Sequence, residues 1–130
     1  MANLQKIYSD IRFTFTKKPV TADVALSYDA QAVSRSIRNL LLTNHYERPF
    51  NPDLGSSVNA LLFEPISSLT TSQLQTTITT TINNYEPRVN LKCVVVTALP
   101  EKNAYGVTIT YFLENATQAT TLSLILERNR

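Results

Sequence analysis

The sequence predicts an α+β fold, in which an antiparallel β-meander carries about three helices packed on one of its faces. Apolar residues recur at helical spacing between residues 29 and 85, whereas they follow strand patterns between residues 91 and 127. The joins 100–104 and 114–119 have the length of hairpin connections, which sets the last three strands side by side. Helices that precede strands instead of alternating with them are typical of this class.

The size, charge and hydropathy of the chain limit the classes of protein to which it can belong. The chain has 130 residues, of which 43% are hydrophobic and 17% charged, so we expect residues 1–130 to form a single domain. The 12 basic and 10 acidic residues leave a net charge of +2 without a basic stripe, which argues against a nucleic-acid partner. No apolar run reaches the length of a membrane span, and the N-terminus lacks the apolar region of a secretory signal, so we expect neither.

The N-terminal segment is predicted to hold one strand. Residues 11–16 alternate between apolar and polar side chains, with Ile11, Phe13 and Phe15 on one face, and this period of two is that of a strand. Residues 17–28 follow as a predicted loop, because their proline discourages regular pairing.

Two helices are predicted next. The first runs from Asp29, a residue type that caps helix N-termini, to about Thr43. Its apolar side chains recur at helical spacing: Val33, Ile37, Leu40 and Leu41. A second, short helix is predicted within 55–64, and Pro65 ends it.

Residues 70–85 are ambiguous by composition, because threonine is β-branched and disfavours helix. Apolar residues recur here at intervals of four, four and three: Leu74, Ile78, Ile82 and Tyr85. A strand would place them at alternate positions, so the spacing predicts a third helix. It should begin at a Ser or Thr cap near Ser68 to Thr71 and end before Pro87.

Three strands are predicted after this helix. Residues 91–99 are apolar on both faces, which is typical of a covered central strand, and Cys93 within them is interpreted as a small buried hydrophobe. Residues 105–113 and 120–127 each present one apolar face: Val107, Ile109, Tyr111 and Leu113 in the first, and Leu122, Leu124 and Leu126 in the second.

The residue inventory excludes most catalytic and metal chemistry. One histidine and one cysteine cannot build the usual zinc site, and two glycines cannot form a Gly-rich phosphate cradle, so we expect no metal and no cofactor. A Ser-His-Asp triad is not ruled out by counting, although no nucleophile-elbow motif is present. The single cysteine also excludes an internal disulfide.

Paired carboxylates, as in glycoside hydrolysis, are the remaining enzymatic option. Glu86 lies two residues from Arg88, and a guanidinium would keep this carboxylate ionised, which is the wrong state for a general acid. Glu47 is next to Arg48 and raises the same objection. We therefore expect no catalytic residues and no enzymatic activity.

The stretch Asn-Asn-Tyr-Glu-Pro-Arg-Val at 83–89 places charges where the third helix should end. Pro87 forces Glu86 out of the helical region, so Glu86 and Arg88 project from a rigid corner at low entropic cost. Such a corner suits recognition of a partner. The alternative is a helix stop with a local ion pair, worth roughly 0–1 kcal/mol if exposed.

This stretch resembles the Glu-Pro-Arg signature of the lysozyme-like baseplate wedge family of contractile phage tails, which is shared with the type VI secretion baseplate. Residues 33–66 are similar to the helix, the Arg-Pro-Phe-x-Pro-x-x-Gly loop and the Leu-Phe-Glu segment of that family. Residues 1–11 resemble its phage branch. The three blocks occur in order and cover nearly the whole chain.

The resemblance implies a structural protein of the virion that lies in the tail baseplate and is assembled in the host cytoplasm. Its implied partners are baseplate wedge core proteins, the tail sheath protein and, in addition, tail tube or hub proteins, with several copies in a sixfold assembly. It assigns wedge contact to the corner residues Tyr85, Glu86, Pro87 and Arg88. It assigns a structural or partner role to the loop residues Arg48, Pro49, Phe50, Pro52 and Gly55.

The resemblance further implies that the protein initiates the first sheath ring, and we predict that it does so by β-strand augmentation. The predicted sheath-facing edge strand comprises Leu122, Ser123, Leu124, Ile125 and Leu126, and the charged residues 127–130 would limit self-pairing. Alternatively, those charges only solubilise the terminus. Two other functions stay open: a peptidoglycan hydrolase, or the equivalent component of a type VI secretion or related contractile injection system.

Overall fold

The computed structural model describes residues 8–12, 14–114 and 116–128 of the chain. Its helices and strands follow one another in the order β1 (Ser9–Ile11), β2 (Leu26–Tyr28), α1 (Asp29–Leu42), α2 (Val58–Leu61), α3 (Ser68–Tyr85), β3 (Val89–Leu99), β4 (Ala104–Leu113) and β5 (Ala119–Glu127). The helices and the three-stranded antiparallel sheet of these residues confirm the predicted α+β class. The chain divides between Ser36 and Ile37 into two compact units.

The first unit contains a short antiparallel pair formed by β1 and β2. The strand predicted over 11–16 and the loop predicted over 17–28 are therefore wrong in their bounds. β1 shares one residue with that strand, and β2 lies inside that loop. The strand ends early because the chain turns: the Phe15 N–H donates to the Arg12 carbonyl at 2.9 Å, and Phe15 has a φ of 49°, which extended backbone does not allow. Phe13 lies outside the described residues.

α1 begins and ends within one residue of the prediction. The predicted apolar positions are all buried: Val33, Ile37, Leu40 and Leu41. At its start, the Asp29 carboxylate accepts a hydrogen bond from the Tyr8 N–H at 3.2 Å, and the Tyr8 carbonyl accepts the Asp29 N–H at 2.8 Å. These two bonds hold the first residue of α1 against the residue that precedes β1.

The second unit begins within α1 and contains the other two helices. α2 is shorter than predicted, because the chain leaves it through turns in which the Phe63 N–H donates to the Ala60 carbonyl and the Glu64 N–H to the Leu61 carbonyl, each at 3.2 Å. α3 confirms the third predicted helix and its end before Pro87, and its cap lies one residue before the predicted range 68–71. Ser67 caps it, since its side chain accepts the Thr70 N–H at 3.1 Å.

The three C-terminal strands form the predicted meander, an antiparallel sheet in the order β3-β4-β5. α3 packs against β3, and α2 packs against α3. The fully buried side chains of α3 and β4 supply most of this core: Leu74, Ile78, Ile82, Tyr105, Val107, Ile109 and Tyr111. Burial of each of these side chains contributes about 1.5–3 kcal/mol to folding. The three from α3 reach the core because their helical spacing places them on one face of the helix.

The predicted position of β3 in the sheet is wrong. β4 is the central strand, and β3 lies at an edge of the described sheet. Only one face of β3 is covered: Val94 and Val96 are buried, whereas Val95 is half exposed. Cys93 is exposed as well, so it is not the buried hydrophobe that was predicted. The run of valines reflects the preference of β-branched residues for extended backbone, which does not require burial on both faces.

Candidate functional site

The corner at residues 85–88 is fixed by proline. α3 ends at Tyr85, and Glu86 adopts φ −124° and ψ 80°, outside the helical region that Pro87 disfavours in the residue before it. The Glu86 N–H still donates to the Ile82 carbonyl at 2.9 Å, and the Glu86 carbonyl accepts the Val89 N–H at 3.3 Å. The chain therefore changes from helix to strand within three residues.

Glu86 and Arg88 form a two-point ion pair at this corner. The Arg88 Nε donates to Glu86 Oε1 at 2.6 Å, and Nη2 donates to Oε2 at 2.9 Å. The Glu86 side chain is 4% exposed, so the prediction that it projects from the corner is wrong, whereas the Arg88 side chain is 32% exposed. The pair is thus more than an exposed local ion pair, because a buried carboxylate holds one edge of a partly accessible guanidinium.

The corner is also tied to the sheet. The Arg88 carbonyl accepts the Glu114 N–H at 3.2 Å, where the chain leaves β4. The backbone around Arg88 is therefore held from α3, from β3 and from the end of β4. A side chain on such a backbone loses little further freedom when it meets a partner.

The loop at residues 46–55 is built from two turns in series. The Asn51 N–H donates to the Arg48 carbonyl at 3.3 Å, and the Leu54 N–H donates to the Asn51 carbonyl at 3.2 Å. The second residue of each turn is a proline, Pro49 in the first and Pro52 in the next, at the position where its fixed φ favours a turn. The prolines that mark the loop in the sequence therefore determine its shape.

The base of this loop is closed and tightly packed. The Tyr46 N–H donates to the Pro52 carbonyl at 2.8 Å, and the Ser56 N–H donates to the Thr43 carbonyl at 2.9 Å. Gly55 has a φ of +145°, and a Cβ there would lie 2.8 Å from backbone atoms of the preceding segment. Only glycine fits without moving the backbone, which gives Gly55 a structural role.

The loop and the corner meet. The Tyr85 hydroxyl donates to the Asp53 carbonyl at 2.6 Å, and His45 Nδ1 lies 3.2 Å from the same oxygen. Two blocks that are separate in the sequence are thus joined in space. No sequence signal identifies Asp53 as the connection, because its backbone oxygen makes the contact and any residue type carries one.

The side chains at the tip of the loop point to solvent. Arg48, Pro49 and Pro52 are exposed. Phe50 is 101% exposed, and Tyr46 is 81% exposed. Of the five loop residues singled out from the sequence, four are therefore accessible to a partner, and the fifth, the glycine, shapes the loop.

The third predicted surface, β5, pairs with β4 over nine consecutive residues without a bulge. No second strand pairs with β5 within the described sheet. Leu124 and Leu126 are buried, Leu122 is half buried, and Ser123 and Ile125 are exposed. This alternation agrees with the predicted faces of the strand and leaves its outer edge unpaired in the part of the chain that the structure describes.

Neither of two described grooves beside α3 holds a carboxylate. They have volumes of about 360 and 270 Å³ and are lined mainly by serine, threonine and amide side chains. The Glu47 carboxylate accepts the Asn44 N–H at 2.8 Å. The described chain brings together no group of three or more His, Cys, Asp or Glu side chains that could hold a metal ion. It also contains no helix with the length and apolarity of a membrane span.

Comparison with known proteins places these features in a family. The family model described as baseplate wedge protein gp25 matches residues 27–118, which include the loop and the corner. The baseplate wedge protein gp25 of Enterobacteria phage T4 is 33% identical over 90 residues, covering 69% of this chain and 67% of that protein.

Solved structures share the fold. A protein assigned as a tail lysozyme from Geobacter sulfurreducens has a TM-score of 0.75 at 21% identity, over 82% of this chain and 96% of its own. A chain of the six-fold symmetrised anti-feeding prophage baseplate has a TM-score of 0.63 at 22% identity, over 95% and 87%. A chain of the postcontracted pyocin R2 baseplate has a TM-score of 0.59 at 21% identity, over 77% and 98%.

Proposed function

The chain belongs to the gp25 family of baseplate wedge proteins, and we propose that it links the wedge core of a contractile phage tail to the first sheath ring. The braced corner carries this proposal, because it presents a partly exposed arginine from a backbone that is held on three sides. In this proposal the protein is a structural part of the virion baseplate, assembled in the host cytoplasm and present in several copies. The six-fold symmetrised baseplate of the anti-feeding prophage supports a sixfold arrangement.

We propose that wedge core proteins bind at Tyr85, Glu86, Pro87 and Arg88. Glu86 orients the guanidinium plane through two hydrogen bonds, and Pro87 is exposed beside it. The accessible third of the Arg88 side chain is the part that a partner carboxylate or carbonyl would reach. The ion pair therefore has two tasks, to end α3 in a fixed direction and to hold the arginine in place.

Co-purification with wedge core proteins from the same particle tests this contact. Arg88→Lys keeps the charge but loses the planar fork, so we expect weaker wedge binding with a melting temperature closer to wild type than that of Arg88→Ala. Arg38→Ala is the matched control, because Arg38 is an exposed arginine outside the corner and should leave binding unchanged. If Arg88→Lys recovers wedge proteins as wild type does, planar recognition at the corner is not the mechanism.

We propose that β5 accepts a strand from the sheath protein. Its nine regularly paired residues leave one edge with peptide groups that another chain can pair. The other edge strand, β3, carries a register shift between Leu91 and Cys93, where Lys92 is exposed. Bulges and lysines discourage strand addition, so the two edges of the sheet are not equivalent, and β5 is the better acceptor.

Hydrogen–deuterium exchange in the presence of purified sheath protein distinguishes the two edges. Strand addition should slow exchange of the outward amides of β5, because those amides acquire hydrogen-bond partners, while exchange in β3 stays as in the free protein. Sheath that binds without protecting β5 would exclude this mechanism. Protection of β3 alone would move the docking site to the opposite edge.

We infer that the protein is not a peptidoglycan hydrolase. Glu86 is held by Arg88 in the charged state, whereas a general acid must carry a proton, and neither groove beside α3 contains a carboxylate. One structural neighbour is assigned as a tail lysozyme. Its sequence is 21% identical to this chain, so that assignment is not transferred. Incubation with purified cell wall should release no soluble fragments. Release that is lost on substitution of a single glutamate would reverse this inference.

The choice of a phage tail over another contractile particle rests on the likeness to the phage T4 protein. Pyocin and anti-feeding prophage baseplates contain chains of the same fold, so the fold does not separate these particles. Mass spectrometry of purified particles from the source strain should find this chain together with capsid proteins. Its presence only in particles without a capsid would assign it to a secretion or injection system.

A further inference from the structure

Tyr85 is the last residue of α3 and directly precedes Glu86, the first residue of the ion pair at the corner. Its hydroxyl donates to the Asp53 carbonyl at 2.6 Å, across 32 positions of sequence. The hydroxyl proton is therefore engaged within the chain and is not offered to a partner. The bond instead joins the end of the helix, from which the corner starts, to the loop at residues 46–55.

A groove separates the base of this loop from part of α3, so close packing does not hold the two together there. The groove has a volume of about 270 Å³, with His45 and Gly55 on the side of the loop and Thr80 and Asn84 on the side of α3. Tyr85 also lines the groove, and its hydroxyl reaches the loop. The hydrogen bond thus makes a link that packing does not supply.

The loop side of this link is held by bonds of its own. His45 Nδ1 lies 3.2 Å from the same Asp53 oxygen and acts there as a donor, because a carbonyl only accepts. Asn44, which precedes His45, accepts from Asn59 Nδ2 of α2 at 2.8 Å through its side-chain oxygen. Pro52 fixes φ one residue before Asp53. The oxygen that receives the Tyr85 hydroxyl therefore belongs to a loop with little freedom to move.

We propose that the Tyr85 hydroxyl is a positioning group for wedge binding, through which the loop braces the corner without itself contacting the wedge. This inference rests on the proposed function and concerns how Arg88 is presented. The last turn of a helix frays readily, because its final carbonyls lack partners within the helix. The bond at Tyr85 holds the turn from which Glu86 and Arg88 leave, so the guanidinium meets its partner already ordered.

The exposed side chains of the loop favour this role over docking. Glu47 and Asp53 are exposed on the same loop as Arg48, so the loop carries charges of both signs and selects no partner by charge. Its backbone, in contrast, is held by two turns, a closed base and the bond to Tyr85. A loop that acts through its backbone needs this order, whatever side chains it exposes.

The affinity for the purified wedge core complex of the same particle tests the brace, at a temperature where circular dichroism shows every variant to be folded. Tyr85→Phe removes the hydroxyl and keeps the ring, so we expect binding to weaken about fivefold. Tyr46→Phe is the matched control, because it removes an exposed hydroxyl from the same loop and should leave the affinity unchanged. Phe50→Ala distinguishes bracing from docking, because a brace does not use the exposed ring and binding should stay as in wild type.

A double-mutant cycle with Pro52 separates positioning from a direct contact. Pro52→Gly keeps the carbonyl that closes the loop base but frees φ, and we expect binding to weaken about two- to fivefold. In the Tyr85→Phe background the same change should have no further effect, because motion of the loop no longer reaches the end of the helix. In the free protein, Tyr85→Phe should speed hydrogen exchange of the Glu86 and Val89 amides, while the amides of β4 exchange as in wild type.

The outcomes separate this inference from the proposed function. Wild type that binds the wedge core while Tyr85→Phe binds equally well overturns the brace and leaves the contact at Arg88 in place. Additive effects of Pro52→Gly and Tyr85→Phe also overturn it, and so does weaker binding of Phe50→Ala, which would make the loop a docking surface. Wild type that does not bind the wedge core overturns the proposed function, together with the positioning role that rests on it.

Discussion

At the scale of single residues, Glu86 shows how one side chain serves two purposes. Its carboxylate is almost fully buried and accepts both hydrogen bonds of the Arg88 fork. Charge-assisted bonds of this geometry compensate for the loss of water only while both partners are present. From the sequence, the pairing of these two side chains was one of two alternatives, and the burial of Glu86 depends on packing that no local pattern encodes.

Removal of one partner of this pair should therefore cost more than removal of both. We expect Arg88→Ala to lower the free energy of unfolding by about 2–3 kcal/mol, because it leaves a buried carboxylate without its cation. The double variant Glu86→Gln with Arg88→Gln should be less destabilised than the sum of its single changes. Urea denaturation of wild type, Glu86→Gln, Arg88→Gln and the double variant gives the coupling energy. Strictly additive changes in the free energy of unfolding would contradict this account.

The two glycines of the chain give a second prediction at this scale. Gly55→Ala should destabilise by about 2 kcal/mol or more, because a Cβ would clash with backbone at 2.8 Å in a conformation that other residues avoid. Gly106→Ala is the control, since the nearest atom there would be at 3.6 Å, an ordinary contact. Equal melting temperatures for the two variants would show that the loop base can relax.

At the scale of elements, α3 shows why a threonine-rich segment can still be a helix. Hydroxyl groups along its exposed side donate to carbonyls four residues earlier: Thr71 to Ser67, Thr76 to Ser72 and Thr79 to Gln75. The β-branched residues thus bond to the helix that they intrinsically disfavour, while the buried stripe supplies the stability. The spacing of the apolar residues outweighed propensity, which is why the sequence predicted this element well.

The cap of α3 can be tested separately. Ser67→Ala should lower the free energy of unfolding by about 1 kcal/mol, because it leaves the Thr70 N–H without the side-chain oxygen that now accepts it. Ser68 is exposed and lies one residue inside the helix, so Ser68→Ala should leave the stability unchanged or raise it slightly. Thermal unfolding followed by circular dichroism at 222 nm compares the two. A larger loss of stability from Ser68→Ala than from Ser67→Ala would place the helix cap at Ser68.

The strands show where sequence patterns fail. The alternation in β4 and β5 identified their buried faces, because period two is a property of the strand itself. Two predictions failed for different reasons: the strand over 11–16 and the central position of the strand over 91–99. In the first, a turn with positive φ ends the strand, and in the second, β-branched residues occupy an edge strand with one open face. Both outcomes depend on which segments pair, which is a long-range property.

At the scale of the whole molecule, the two units share α1, which runs through the division between Ser36 and Ile37 without a break. The single domain expected from composition stays a prediction. A helix that continues across the boundary should couple the two units, so we expect one cooperative unfolding transition. Denaturation followed by far-ultraviolet circular dichroism and by tyrosine fluorescence should give coincident curves, whereas separated midpoints would indicate two domains.

The exposed position of Cys93 on β3 has a practical consequence for all of these experiments. It is the only cysteine in 130 residues, and its side chain is exposed. A maleimide dye will therefore attach at one defined place, on the edge strand opposite β5. Fluorescence from that position can report wedge and sheath association in real time without any engineered substitution. The same thiol can also crosslink two copies in air, so stocks require a reducing agent before their oligomeric state is measured.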